Sequence, residues 1–244
     1  MADPNRTELV REILEIIRRT AIHYGLWYAE AERQLGHVDA HHAEAEAGDR
    51  LMAILMKRLS KILDMGVTED GLPEGLTRLD GEILVRLRDS MATNWLAADG
   101  VWFQAIENQL SMHDAKRVND TCWTRFSPYE ALRIKQLLEL PDYGGLPALQ
   151  TALGHRIYAR VNPWEIVEDT AESFVFRMKS CRVQTARTRK GLAEYPCQSG
   201  GLVEYRTFAR TVDPRITTEC VACPPDLHPE DWVCAWRFTM SAGL

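Results

Sequence analysis

Leu9, Ile13, Ile16 and Ile17 recur at i, i+4, i+7 and i+8, the spacing that lines apolar side chains along one face of a helix, and Asn5 with Glu8 has the spacing of a capping box. The helical period persists through most of the chain. Gly36 and Gly48 read as breaks, and a further helix runs through Leu51, Leu55, Leu59, Ile62 and Leu63. Gly66 to Gly75 forms a loop ahead of a helix carrying Ile83, Leu84 and Leu87. Ser127-Pro128-Tyr129-Glu130 reads as a helix start, with a capping Ser, a Pro in the first turn and a Glu three residues after the cap. That helix stops before Leu140-Pro141, and Leu146, Leu149, Leu153 and Ile157 describe one more, closed by Asn162-Pro163.

Beyond Pro163 the period shortens to two. Phe174, Phe176 and Met178 alternate with Val175, Arg177 and Lys179, and Trp232, Cys234, Trp236, Phe238 and Met240 alternate in the same way. Helices at 184–190 and 202–211 and a short strand at 216–220 fall between these two strands. The pattern predicts an α+β fold, with an N-terminal helical region over residues 1–162 and a small cysteine-rich α/β domain with an antiparallel sheet over 163–244.

Sliding the sequence by 75 residues aligns Gly25-Leu26-Trp27-Tyr28 with Gly100-Val101-Trp102-Phe103. Without a gap, Glu32, Gln34, Leu35, Asp39, Ala40, Arg50, Arg58 and Leu63 meet identical residues at 107, 109, 110, 114, 115, 125, 133 and 138. A single period of this length indicates a duplicated helical unit, over about residues 20–65 and 95–140, rather than a solenoid. Trp27 and Trp102 are expected to fill a seam between the copies. The repeated Glu and Asp residues are expected to cap helices or pair with Arg50 and Arg125, and a dimetal bundle site is disfavoured because no Glu-x-x-His spacing accompanies them.

Composition narrows the class. A hydrophobic fraction of 45% and a charged fraction of 26% are those of an ordinary globular protein. Charge interrupts every apolar run long before bilayer length, and the N-terminus carries an early acid where a secretory signal would be apolar, so a cytoplasmic protein with no membrane contact is expected. The net charge of −6 argues against nucleic-acid binding. From Arg177 to Arg215, however, nine Lys and Arg stand against Glu194, Glu204 and Asp213, a local balance of +6 that could attract a small anion.

Five of the six cysteines, Cys181, Cys197, Cys220, Cys223 and Cys234, share this region. Clustered thiols without an export signal admit three roles: metal ligands, reactive groups, or buried packing. Cys220, Cys223 and Cys234 supply three positions of a tetrahedral zinc site, with Cys181, Cys197 or His228 as candidates for the fourth. Strand parity places Cys234 with Trp232, Trp236 and Phe238 and sets Cys181 on the face of Arg177 and Lys179, where a lowered thiol pKa is easier to reach. No phosphate-binding glycine loop, dinucleotide fingerprint, nucleophile elbow or H-E-x-x-H motif is present.

The stretches ADGVWFQAIE, DAKRVNDTCWTRFSPYEA, FRMKSCRVQTARTRKGL and ECVACPPDLHPEDWVCAWRF resemble a prokaryotic family labelled cytosolic proteins, a likeness that implies no particular activity. Cys181 after a strand, Cys197 after a helix and Cys234 in the final strand resemble, more distantly, the L-2-amino-thiazoline-4-carboxylate hydrolase-like group and ligand-binding domains of the vinyl-reductase type. That resemblance implies a helical part ahead of an α/β part, with cysteines that can hold zinc. Cys181-Arg182 stands where the group has Cys-Pro.

These readings converge on a small-molecule pocket with zinc held by Cys220, Cys223 and Cys234 together with Cys181 or Cys197, and with Arg182, Arg187 and Arg189 facing an anionic ligand. The alternative is a hydrolase that opens a small heterocyclic amide or thiazoline through Cys181, Cys197 or a metal-bound water.

Overall fold

A computed structural model describes residues 6–241, so the Asn5 cap lies outside the described residues. The chain divides into two compact units, Met1–Leu79 and Asp80–Leu244, and the change of period at Pro163 falls inside the second.

The first unit is a helical hairpin, α1 (Arg6–Leu35) and α2 (His37–Ile62), followed by a short α3 (Glu74–Thr77). Gly36 turns the chain at φ +84°, a left-handed value that a side chain would strain. Burial concentrates beside this turn, at Glu32, Ala40 and His41. Tyr28 stacks on the His41 ring at 5.8 Å, and the Tyr24 hydroxyl donates to Glu44 at 2.8 Å. Gly48, expected as a break, lies inside α2. A Cβ there would come within 2.8 Å of Tyr24 Oη and 2.9 Å of Glu44 Oε1, so the glycine answers the close approach of α1 and does not end a helix.

The second unit runs α4 (Gly81–Gln109), α5 (Met112–Leu138), α6 (Gly145–His155), a 3₁₀ turn at Tyr158–Arg160, β1 (Trp164–Val167), β2 (Ser173–Met178), α7 (Arg182–Arg189), α8 (Gln198–Val212), β3 (Ile216–Ala222) and β4 (Cys234–Met240). Its sheet is antiparallel in the order β1-β2-β4-β3, with Phe176 opposite Trp236 and Phe174 opposite Phe238. One face packs Phe174, Phe176, Trp236 and Phe238 against Leu149 and Leu153 of α6 and Phe208 and Val212 of α8. The other face carries a smaller cluster of Val175, Ala222, Trp232 and Ala235. The α+β architecture read from the change of period is thus the one observed. The edge strand β1 was not anticipated, because four half-buried residues are too short a run for alternation to register.

The 75-residue shift carries α1 onto α4 and α2 onto α5 with helix ends agreeing to within one residue, and the equivalent Ala40 and Ala115 are each 1% exposed. Trp27 and Trp102 are 69% and 63% exposed, so neither is packed into the core of its own unit. The inward positions are the next residues, about 100° further round each helix: Tyr28 against His41, and Phe103 edge-on to Tyr195 at 5.1 Å. Two of the repeated acids find local partners, Glu32 at His37 and Asp114 at Arg117, while Glu107 meets the distant Arg187 and the repeated Arg50 pairs with Glu46.

Ser127-Pro128 does not begin a helix. The cap is Ser111, whose hydroxyl oxygen accepts from the Asp114 N–H at 3.0 Å, and α5 runs unbroken through Pro128. Ser127 instead donates to the Glu204 carbonyl of α8 at 2.6 Å. Packing against α8 offsets the helical hydrogen bond that Pro128 cannot make.

Two buried polar clusters tie the elements of this unit together. Arg156, 2% exposed, donates from Nε to Glu130 at 2.9 Å and pairs through Nη1 with Glu204 at 2.6 Å, while the rings of Trp123, Tyr205 and Phe208 surround its guanidinium. Asp213 accepts from the Gly145 N–H at 2.9 Å and from Arg215 through the backbone, Nε and Nη2. The Arg215 hydrogen bonds outweigh burial and hold its carboxyl at about 2. No described helix is long and apolar enough to cross a membrane.

Candidate functional site

A cavity of about 500 Å³ opens in the second unit. Its floor is buried: Trp236 from β4, Tyr205 from α8, Met178 at the end of β2, and the thiols Cys181 and Cys223. Leu96, Ala97 and Phe103 of α4 and Val183 of α7 supply apolar walls. Exposed Gln104, Arg182, Lys190 and Leu192 form the rim.

Glycine lets α8 close on the floor. Gly200 and Gly201 lie in the first turn of α8, and a Cβ on Gly201 would stand 2.4 Å from Trp236 Cζ2. Helix and indole therefore meet without an intervening side chain. The Trp236 indole stacks on Tyr205 at 4.9 Å, while its Nε1 is buried with no hydrogen-bond acceptor.

Four thiols line the cavity: Cys181, Cys197, Cys223 and Cys234. All six cysteines are free. The chain leaves the sheet after Met178, so strand parity does not carry on to Cys181, which caps α7 and faces the same cavity as Cys234. Tyr158 Oη lies 3.6 Å from Cys181 Sγ. Burial, then the neighbouring Cys197, pushes the Cys181 thiol up to about 11, the direction opposite to that of an activated nucleophile. Hydrogen bonds with Cys197 and Cys234, then burial, drive the Cys223 thiol well up. Gln184 braces the segment that carries Cys197: its Nε2 donates to Tyr195 O at 2.7 Å and to Cys197 Sγ at 3.1 Å, and its Oε1 accepts from the Tyr195 N–H at 2.9 Å.

The C-x-x-C pair is divided. Cys220 sits in β3 opposite Trp236, a register shift follows it, and only Cys223, beyond the strand, reaches the cavity. Cys220 is half-buried against the core, and burial raises its thiol against the opposing hydrogen bond from Gln198. His228 lies beside Trp232 and Glu194, away from the cavity lining. Among the described residues, no three His, Cys, Asp or Glu side chains are arranged to hold a metal ion.

Of the three arginines expected to face a ligand, Arg182 and Arg187 line the cavity, Lys190 joins them, and Arg189 is not part of the lining. Arg187 is engaged by Glu107 at 3.5 Å and by the Ala193 carbonyl at 2.8 Å. The side chains of Arg182 and Lys190 hydrogen-bond to the neutral Thr93 and Gln104 side chains, both at 3.4 Å, and form no ion pair among the described residues. Two acids also line the space. Glu204 is paired with Arg156, and burial raises its carboxyl. Asp99 accepts from Asn119 at 3.3 Å and is likewise raised by burial.

Tyr158, Tyr195, Tyr205, Glu204 and the α4 wall escaped the sequence reading, because their approach depends on how distant helices meet. The adjacent Gly200-Gly201 at the start of a helix was the local signal that could have marked the floor.

Fold and site together define an α+β protein with a thiol-floored, largely apolar internal cavity. The chain belongs to a family of unknown function, DUF6125, which it matches over residues 77–240. Comparison with curated proteins and with solved structures gives no match.

Proposed function

We propose that this protein binds a small molecule with an apolar body and an anionic head in the cavity of its second unit. One observation carries the reading: a space of about 500 Å³ with apolar walls, rimmed by Arg182 and Lys190, which no carboxylate among the described residues pairs with. That volume lies within the roughly 300–1,000 Å³ range of small-molecule sites. A charge-assisted hydrogen bond contributes about 1.5–3 kcal/mol, enough to rank an acid above its neutral isostere.

Calorimetric titration with dodecanoate and dodecanamide tests this. The acid is expected to bind about tenfold or more tighter, and Arg182→Met with Lys190→Met to erase the difference. Equal affinities for acid and amide would overturn the reading.

Zinc is the second reading, favoured by the four thiols that line one cavity, which would have to draw together because no three of the described groups are arranged to hold a metal ion. The ligand set would then be Cys197, Cys223 and Cys234, with Cys181 nearby, and Cys220 outside it. Metal ligation takes thiolates, and Cys181 and Cys223 are both held toward the protonated form, so the site would fill only with release of protons. Elemental analysis of protein purified without chelator, showing less than stoichiometric zinc, would remove this reading. Hydrolysis through Cys181 or Cys197 has less support, since the hydrogen-bond partners of these thiols are Tyr158, Gln184 and Cys223 and not an imidazole.

A further inference from the structure

The duplicated hairpins differ in what covers them. In the second unit the inner face of α5 is buried: Ser127, Glu130, Ala131 and Ile134 are 0–6% exposed, and this face meets α8. The residues 75 positions earlier are Met52, Leu55, Met56 and Leu59 of α2, where Met52, Leu55 and Leu59 are 55%, 39% and 45% exposed. The first half of α1 is equally bare, with Leu9, Ile13, Ile16 and Ile17 at 41–60%. Both stretches lie at the end of the hairpin away from Gly36. Val10 and Leu14 join the others in an apolar face about 160° wide on α1, more than a helix exposes to water without a partner.

We propose that a second copy of this chain covers that face, the free halves of two α1–α2 hairpins closing into a four-helix bundle. The chemistry selects this occupant. On α5 the anchors for α8 are polar: Ser127 donates to Glu204 O, Glu130 binds Arg156 and Lys135 reaches Thr211 O. Their α2 equivalents, Met52, Leu55 and Ser60, cannot repeat those bonds, so the face no longer suits an element like α8. Met52, Leu55, Leu59 and Ile62 instead follow the 3-4-3 spacing of a helix-packing seam, and Leu9, Ile13 and Ile16 follow 4-3. The flanking charges are complementary: at 100° per residue Arg58 borders the α2 seam and Glu12 borders the α1 seam, both exposed. Two-fold symmetry then sets α1 of each copy on α2 of the other, an isologous contact. About ten half-exposed apolar side chains offer on the order of 600–900 Å² per copy, close to the roughly 800 Å² per partner of a standard interface and beyond the few hundred a monomer ordinarily exposes.

Sedimentation velocity of the full chain from about 1 to about 100 µM tests the proposal. Twice the chain mass of 27.8 kDa is expected. Ile13→Glu and Leu59→Glu each place a charge in the seam and should raise the dimer Kd by roughly 100-fold or more, with helical circular dichroism retained because both sites are exposed in one copy. Arg58→Glu should weaken the dimer, and adding Glu12→Arg should restore it. A chain that stays monomeric throughout, as it would if the face met a membrane or another protein, overturns the proposal. So does a dimer indifferent to Leu59→Glu, and failure of the charge reversal to restore association overturns the α1-on-α2 pairing.

Discussion

Adding one methyl group to Gly201 tests how the cavity floor is built. The new Cβ would lie 2.4 Å from Trp236 Cζ2 and 2.8 Å from Cη2, more than 1 Å inside the carbon–carbon contact distance of about 3.5–4.0 Å. Trp236 cannot yield easily: it is 0% exposed, stacked on Tyr205 and carried by β4 between β2 and β3. Overpacking of this kind costs about 1–3 kcal/mol, occasionally more, and the gain in helix propensity from Gly to Ala returns at most about 1 kcal/mol. Gly201→Ala should therefore destabilise by about 1–2 kcal/mol, with a Tm lower by about 2–8 °C. It should also weaken dodecanoate binding, because residue 201 and Trp236 both line the cavity. Gly200→Ala is the control. Its Cβ would meet only Asp120 Oδ1 at 2.9 Å and Lys116 Nζ at 3.1 Å, the far ends of side chains that can swing aside. Propensity then offsets the clash, and stability should stay within about 0.5 kcal/mol of the parent. Urea denaturation followed by tryptophan fluorescence measures both variants. If Gly201→Ala were as stable as Gly200→Ala, the close approach of α8 to Trp236 would be refuted.

Two further outcomes follow from the buried ionisable groups. The Cys181 thiol stands at about 11 in the folded chain against an ordinary value of 9.0, so its contribution to stability is complete below pH 9 and is lost as pH rises through 11, up to about 3 kcal/mol in all. Cys181→Ala should flatten that part of the alkaline stability profile measured by urea unfolding, and an unchanged slope between pH 9 and 11 would contradict the burial of this thiol. Arg156→Met leaves Glu130 and Glu204 buried without their cation and should destabilise by about 3–5 kcal/mol; a loss under about 1 kcal/mol in the same assay would show that the cluster is not a structural tie.

The helices and the strands β2 and β4 were legible because each buries one face, and burial leaves its period in the sequence. Misreadings arose where a residue type has two uses. Gly48 serves close packing and Pro128 is carried inside a helix held by α8, yet both look locally like boundaries. Cys181 was misplaced because alternation predicts a side chain's direction only while the strand continues, and β2 ends at Met178. Arg182 and Arg187 both line the cavity from α7, which begins two residues before the helix read at 184–190.

By itself, the order of apolar and polar residues determined the α+β class, the position of the change from helix to strand, and a duplication accurate to within a residue at the helix ends. Tertiary structure alone decided which thiols share a cavity, that Cys220 stands apart from Cys223, and that Arg156 ties α5 to α8. The physical reason is that period reports the direction of a side chain relative to its own helix or strand. The meeting of Cys181, Cys197, Cys223 and Cys234 depends on how α7, α8, β3 and β4 are placed around Trp236, which no single segment encodes.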